Sequence, residues 1–80
     1  MTIIPQTNPA PASANVLVEQ GDALLQSGSL DPAIEALCAA IDLDPKNAKA
    51  LYQRGYVYDI KGERDPAMAD YNQAMRLLRR

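Results

Sequence analysis

Histidine, tryptophan and phenylalanine are missing from these 80 residues, and cysteine occurs once, as Cys38. A single cysteine excludes an internal disulfide, and without histidine there is no ligand cluster of the kind that holds zinc or iron. Set at helical spacing among Ala and Leu, Cys38 reads as a small buried apolar group rather than a reactive thiol. No glycine-rich loop has phosphate-binding spacing, and no nucleophile stands beside a base. These absences argue against an enzyme and against any cofactor or metal. Charge of one sign is also missing: eight Lys and Arg stand against ten Asp and Glu, a net charge of −2. A nucleic-acid partner and an acidic membrane surface are therefore not expected.

Long apolar runs are absent too. No stretch of about 20 apolar residues could form a membrane helix. The opening "MTIIPQTNPAPASAN" ends in small residues but has neither a basic leader nor an apolar run of about 7 to 15 residues. It does not read as a signal peptide, and a cytoplasmic location is the default expectation.

What is present is 48% apolar residues with only four aromatics, all Tyr. Ala and Leu supply much of the rest, which suits closely packed helices; a β-protein would want more Val, Ile, Thr and Phe. Eighty residues make at most one domain, with a core only marginally able to offset chain entropy. Pro5, Pro9 and Pro11 lie among Thr, Asn, Ser and Ala, so residues 1–13 read as a flexible Pro-rich tail.

From Ala14 onward the chain repeats itself. Shifted by 34 residues, nine positions are identical: Ala14/Ala48, Leu17/Leu51, Gly21/Gly55, Gly28/Gly62, Asp31/Asp65, Pro32/Pro66, Ala33/Ala67, Ala40/Ala74 and Leu43/Leu77. Roughly two or three would arise by chance in this composition, so the repeat is real. Its units are 14–47 and 48–80. Within each, apolar residues recur at three and four, the period of a helix with one buried stripe. Gly28 and Gly62 fit helix ends, because a residue without Cβ can enter the left-handed conformation. Asp31 and Asp65 are expected to cap the following helices, with Pro32 and Pro66 in their first turns. Asp44-Pro45 instead acts as a stop, since proline disfavours helical geometry in the residue before it. Helices are predicted at about 15–27, 31–43, 47–60 and 65–79, the last without a stop signal and free to run to the C-terminus.

A helix, a glycine turn and a second helix every 34 residues resembles the tetratricopeptide repeat family. The family's first-helix pattern of large apolar, small, then large residue is matched by Leu17, Gly21 and Leu24, and again by Leu51, Gly55 and Tyr58. Its second-helix pattern is matched by Ala33, Leu37 and Ala40, then Ala67, Tyr71 and Ala74, and Pro45 is the closing proline. The resemblance implies an all-α fold: two antiparallel helix-turn-helix repeats stacked as a short right-handed α-solenoid. One departure is Arg54 before the small residue, where the family often has Leu; its methylenes are expected on the core and its head in water.

The resemblance further implies a module that binds an extended peptide or partner helix on a concave face lined by the first helix of each repeat. One step round from the core stripe lie Asn15, Val18, Asp22 and Leu25, then Lys49, Tyr52, Tyr56 and Asp59. Val18, Leu25, Tyr52 and Tyr56 are more apolar than a solvated face requires, and Tyr suits a binding surface because it gives large contact area with few rotors. The same tyrosines could equally cover the inside of the stack. Relatives that grip a chaperone's C-terminal carboxylate use a Lys and an Asn where this chain has Val18 and Asp22, and Asp22 would repel that group. A second reading stays open: a self-assembling homodimer, or part of a longer scaffold. Stacked repeats usually need three or more units with polar caps. Met68, Met75, Leu77 and Leu78 would otherwise leave an apolar surface uncovered, and a symmetric dimer through the fourth helices would close it.

Overall fold

A computed structural model describes residues 10–79, with side chains from residue 13 onward. Within them the secondary structure is α1 (Ala10–Gln26), α2 (Leu30–Leu43), α3 (Ala48–Lys61) and α4 (Arg64–Leu78), with no strand. α1 packs on α2 and α3 on α4, and the two hairpins join chiefly through α2 and α3, with a lighter contact between α1 and α3. The fold is all-α, two helical hairpins stacked as a short solenoid.

Each hairpin turns on the same elbow. Gly28 and Gly62 are left-handed, with φ of 86° and 88°. Gly28 N donates to Leu25 O at 3.0 Å and Ser29 N to Leu24 O at 2.9 Å; Gly62 N donates to Asp59 O at 3.0 Å and Glu63 N to Tyr58 O at 2.9 Å. Both are paired closures that satisfy the last carbonyls of a helix. The capping expectation for the aspartates needs correcting. The glycine closures place Ser29 and Glu63 at the cap positions, neither making a side-chain cap bond. Asp31 and Asp65 fall inside the first turns, where a carboxylate complements the positive end of the helix dipole. Asp31 is drawn to Lys61 Nζ, 2.6 Å away. A true cap stands at α3, where Asn47 Oδ1 accepts from Ala50 N at 3.0 Å. α2 stops at Leu43 as the Asp-Pro pair requires, with Asp44 at φ −144°.

Two helix ends differ from expectation. α1 begins at Ala10, about five residues early, so residues 10–13 are helix rather than tail. Pro11 is compatible with this because first-turn N–H groups have no intrahelical partner to lose. The remainder of the expected tail, with Pro5 and Pro9, lies outside the described residues. α4 closes at Leu78, and Arg79 leaves it extended at φ −79°, ψ 144°: Arg79 N makes the last helical bond, to Met75 O at 3.0 Å.

The core is built of small residues. Ala14 and Val18 of α1, Ala33, Leu37 and Ala40 of α2, and Ala50 and Val57 of α3 form one buried cluster. Alanines let helices approach closely but bury little area each; Leu37 and Val57 are the large side chains buried outright, contributing about 1.5–3 kcal/mol apiece. Gly21 and Gly55 are small because α2 and α4 cross there. A Cβ on Gly21 would lie 2.8 Å from Leu37 Cγ, and one on Gly55 3.0 Å from the Tyr71 ring and 3.1 Å from Ala67 O.

Arg54 departs from the expected wet head. Its Nε and Nη2 donate to Asp70 Oδ2 and Oδ1 at 2.7 and 2.8 Å, and Nη1 donates to Cys38 Sγ at 3.3 Å. Its guanidinium also lies 5.9 Å from the Tyr58 ring centroid. The Asp70 side chain is only 8% exposed, so an unpaired Arg54 head could not stay in solvent without leaving a buried carboxylate unmatched. Cys38 is correspondingly half-buried, a polar contact of Arg54 rather than the fully buried apolar group expected.

Candidate functional site

The first helix of each hairpin supplies the candidate face, because α1 and α3 lie side by side. Two polar bridges tie them. Asn47 Nδ2 donates to Asn15 Oδ1, and Gln53 Nε2 donates to Asp22 Oδ1, both at 3.3 Å. Asn15 and Asp22 are thus engaged at the α1 edge rather than pointing freely outward. Asn15 stays exposed and Asp22 is half-buried.

On α3 the expected stripe is open: Lys49 and Asp59 are exposed, and Tyr52 and Tyr56 are 56% and 45% exposed. They are one helical turn apart, a spacing that puts neighbouring rings on one face. On α1 the apolar members of the stripe are not free. Val18 is only 2% exposed and belongs to the core cluster, and Leu25 is half-buried against it. The expectation that Val18 lines an open groove is therefore corrected: the cluster joining α1, α2 and α3 absorbs it.

A residue that the stripe did not include completes the aromatic group. Tyr71 of α4 covers Gly55, and its ring centroid lies 5.3 Å from that of Tyr52 at an interplanar angle of 44°, a favourable tilted pair. Burial pushes the Tyr71 hydroxyl up from its ordinary pKa, and the Asp59 carboxylate, Tyr52 and Tyr56 add to the shift. Tyr71 matches the family's second-helix aromatic position, which reads as core from sequence. What distinguishes it is its partner one repeat earlier, Leu37, which is 1% exposed while Tyr71 is half-buried.

Next to Tyr52 the surface opens into a pocket of about 450 Å³ lined by Tyr52, Met68, Tyr71, Asn72 and Met75. A neighbouring one of about 490 Å³ is bordered by Asn72, Met75, Arg76 and Arg79. Of the four residues expected to leave an uncovered apolar surface, Met68, Met75 and Leu78 are 53%, 65% and 72% exposed. Leu77 is half-buried and lies apart from these two pockets.

Among the described residues no group of His, Cys, Asp and Glu could hold a metal ion, and no helix is long and apolar enough to cross a membrane. A large tyrosine-rich area flanked by Lys49 at one end and Asp59 at the other offers apolar contact with hydrogen bonds at its margins.

Comparison with known proteins bears on the same residues. A family model described as TPR repeat matches residues 21–59, and one described as Tetratricopeptide repeat matches residues 48–77; together they run from the last turns of α1 into α4. A tetratricopeptide repeat and J domain-containing co-chaperone of Cryptococcus neoformans var. grubii is 33% identical over 69 residues, 86% of this chain and 13% of that protein. Tetratricopeptide repeat protein 36 of Caenorhabditis elegans is 34% identical over 61 residues, 76% of this chain and 34% of that protein. The chain thus spans a minor part of the length of either relative.

Proposed function

The chain belongs to the tetratricopeptide repeat family, whose repeats generally mediate protein–protein interaction, and on that premise we propose that it binds an extended peptide or partner helix across the α1–α3 face. Tyr52 and Tyr56 supply the apolar contact, and Lys49, Asp59, Asn15 and Asp22 its polar margins. One observation carries this reading: two tyrosines stand about half exposed, one turn apart, where the first repeat has a core valine and a bridged aspartate. Large aromatic side chains left open in that way favour a binding surface over a solvated one.

The acidic residues narrow the ligand. Asp22 and Asp59 flank the tyrosines, so a segment with a basic residue beside an apolar one is favoured over a free C-terminal carboxylate. Occurrence of similar repeats in a co-chaperone is compatible with a protein ligand.

The reading is tested with a peptide selected from a random library for binding to the intact chain. Tyr56→Ala should weaken its affinity by about 1–2 kcal/mol, roughly five- to thirtyfold in Kd, with the helical signal unchanged. Equal affinity in Tyr56→Ala and in Lys49→Glu would place binding elsewhere.

A further inference from the structure

The two hairpins differ in one respect that the repeat makes measurable: α3 lies on the first, and no helix among the described residues lies on the second in the same way. The residues lining the pocket beside Tyr52 are all one repeat on from residues that face the covered side. Tyr52 and Tyr71 correspond to Val18 and Leu37, both in the core cluster; Met68 and Met75 correspond to Ile34 and Ile41, packed against it. Asn72 corresponds to Cys38, which accepts from Arg54 of α3. The pocket is therefore the place where a helix related to α3 would sit.

The chain carries such a helix, and among the described residues nothing covers its matching side. α3 meets the first hairpin through Ala50 and Val57, both fully buried, and through Arg54. Their counterparts on α1 are Val16, which is 53% exposed, Ala23 and Gln20, both exposed. We infer that α1 of a second copy docks on the α3–α4 face of the first, in the relation α3 has to α1 and α2, so that copies stack head to tail. At that junction Gln20 meets Asn72 where Arg54 meets Cys38, an amide pair able to exchange hydrogen bonds. Glu19 meets Tyr56 where Gln53 meets Asp22, so that a hydroxyl donates to a carboxylate. Charge is complementary on balance: Glu19 lies on the docking side of α1 while Asp22 is held by Gln53 at the α1–α3 seam, and the receiving face carries Lys49, Arg76 and Arg79 against the single carboxylate of Asp59. Because the two surfaces differ, the contact does not close on itself, and assembly continues beyond a dimer. The seat shares Tyr52, Tyr56 and Lys49 with the peptide reading, whereas Val16 lies off that stripe, so a variant at Val16 separates the two.

Sedimentation velocity on the full chain from micromolar to millimolar concentration tests it. The expected result is a concentration-dependent series passing beyond dimer, weakened by added salt. Val16→Glu and Met75→Glu, both at exposed sites, should each abolish the series while keeping the helical spectrum. Mixing them should restore a one-to-one complex that grows no further, because each variant retains one sound face. Should either glutamate variant lose helix, Val16→Gln and Met75→Gln replace them with the same expectations. A dimer that stops growing and survives Val16→Glu would mean that two α4 faces meet and would overturn the proposal. So would a chain that stays monomeric throughout, leaving the seat to a helix of another protein.

Discussion

Arg54 and Asp70 form a two-bond ion pair, 2.7 and 2.8 Å long, between α3 and α4, and the same guanidinium reaches Cys38 of α2. One side chain thereby links three helices. The Asp70 hydrogen bonds push the Arg54 pKa further above its ordinary value, outweighing the lowering by partial burial, and the Cys38 contact adds to the rise. In the first repeat the equivalent pair is Gln20 and Ala36, so this clamp belongs to the second repeat alone.

Removing one partner should therefore cost far more than removing both. Arg54→Gln leaves the carboxylate of Asp70 buried and unmatched, and is expected to lower stability by about 2–4 kcal/mol, somewhat below the fully buried case because Arg54 is partly solvated. The double variant Arg54→Gln/Asp70→Ala copies the first repeat and should recover most of that loss. A chemical-denaturation cycle measures the coupling; simple additivity of the two losses would contradict the clamp.

Gly55→Ala should destabilise even though alanine is the better helix former by about 1 kcal/mol. The new methyl would meet the Tyr71 ring at 3.0 Å and the Ala67 carbonyl oxygen at 3.1 Å, and backbone cannot yield as a side-chain tip does. A net loss of about 1–3 kcal/mol is expected from overpacking, read as a lower denaturation midpoint.

Caps can be separated from first-turn charges. Asn47→Ala removes the bond to Ala50 N and should cost about 1 kcal/mol. Asp65→Asn removes only a charge near a helix N-terminus and should cost a few tenths. Equal losses in thermal melts would mean that Asp65 caps α4 after all.

Alkaline pH should loosen the second hairpin. The Tyr71 pKa is raised in the folded chain, so the unfolded chain ionises first. That contribution is fully present below the ordinary tyrosine value of about 10 and is lost as pH rises through the higher folded value. In an ultraviolet titration one of the four tyrosines should ionise late, and Tyr71→Phe should abolish that late step.

The elbows, the stop at Asp44-Pro45 and the small residues at Gly21 and Gly55 were all legible, because each follows from backbone geometry that one residue type favours. Less legible was what happens between helices. Val18 looked like a groove residue by angle around α1, yet the α1–α3 contact buries it; helical periodicity locates a face but not the neighbour that covers it. Arg54 looked like a snorkelling side chain because its partner is 16 residues away on another helix, and nothing local marks Asp70 as buried. Their place before proline marks Asp31 and Asp65 as caps, but the left-handed glycine sets the cap two residues earlier, at Ser29 and Glu63. Tyr71 was hidden by matching the repeat's own core pattern too well.

The proposed ligand contact falls on the open stripe of α3 and the adjoining edge of α1. Amide chemical-shift mapping on isotopically labelled chain, titrated with a library-selected peptide, tests it most directly. The largest changes are predicted at Lys49, Tyr52, Tyr56 and Asp59, with smaller ones at Asn15 and Asp22 and little along α2. Changes centred on α2, with the α3 stripe unmoved, would contradict the account.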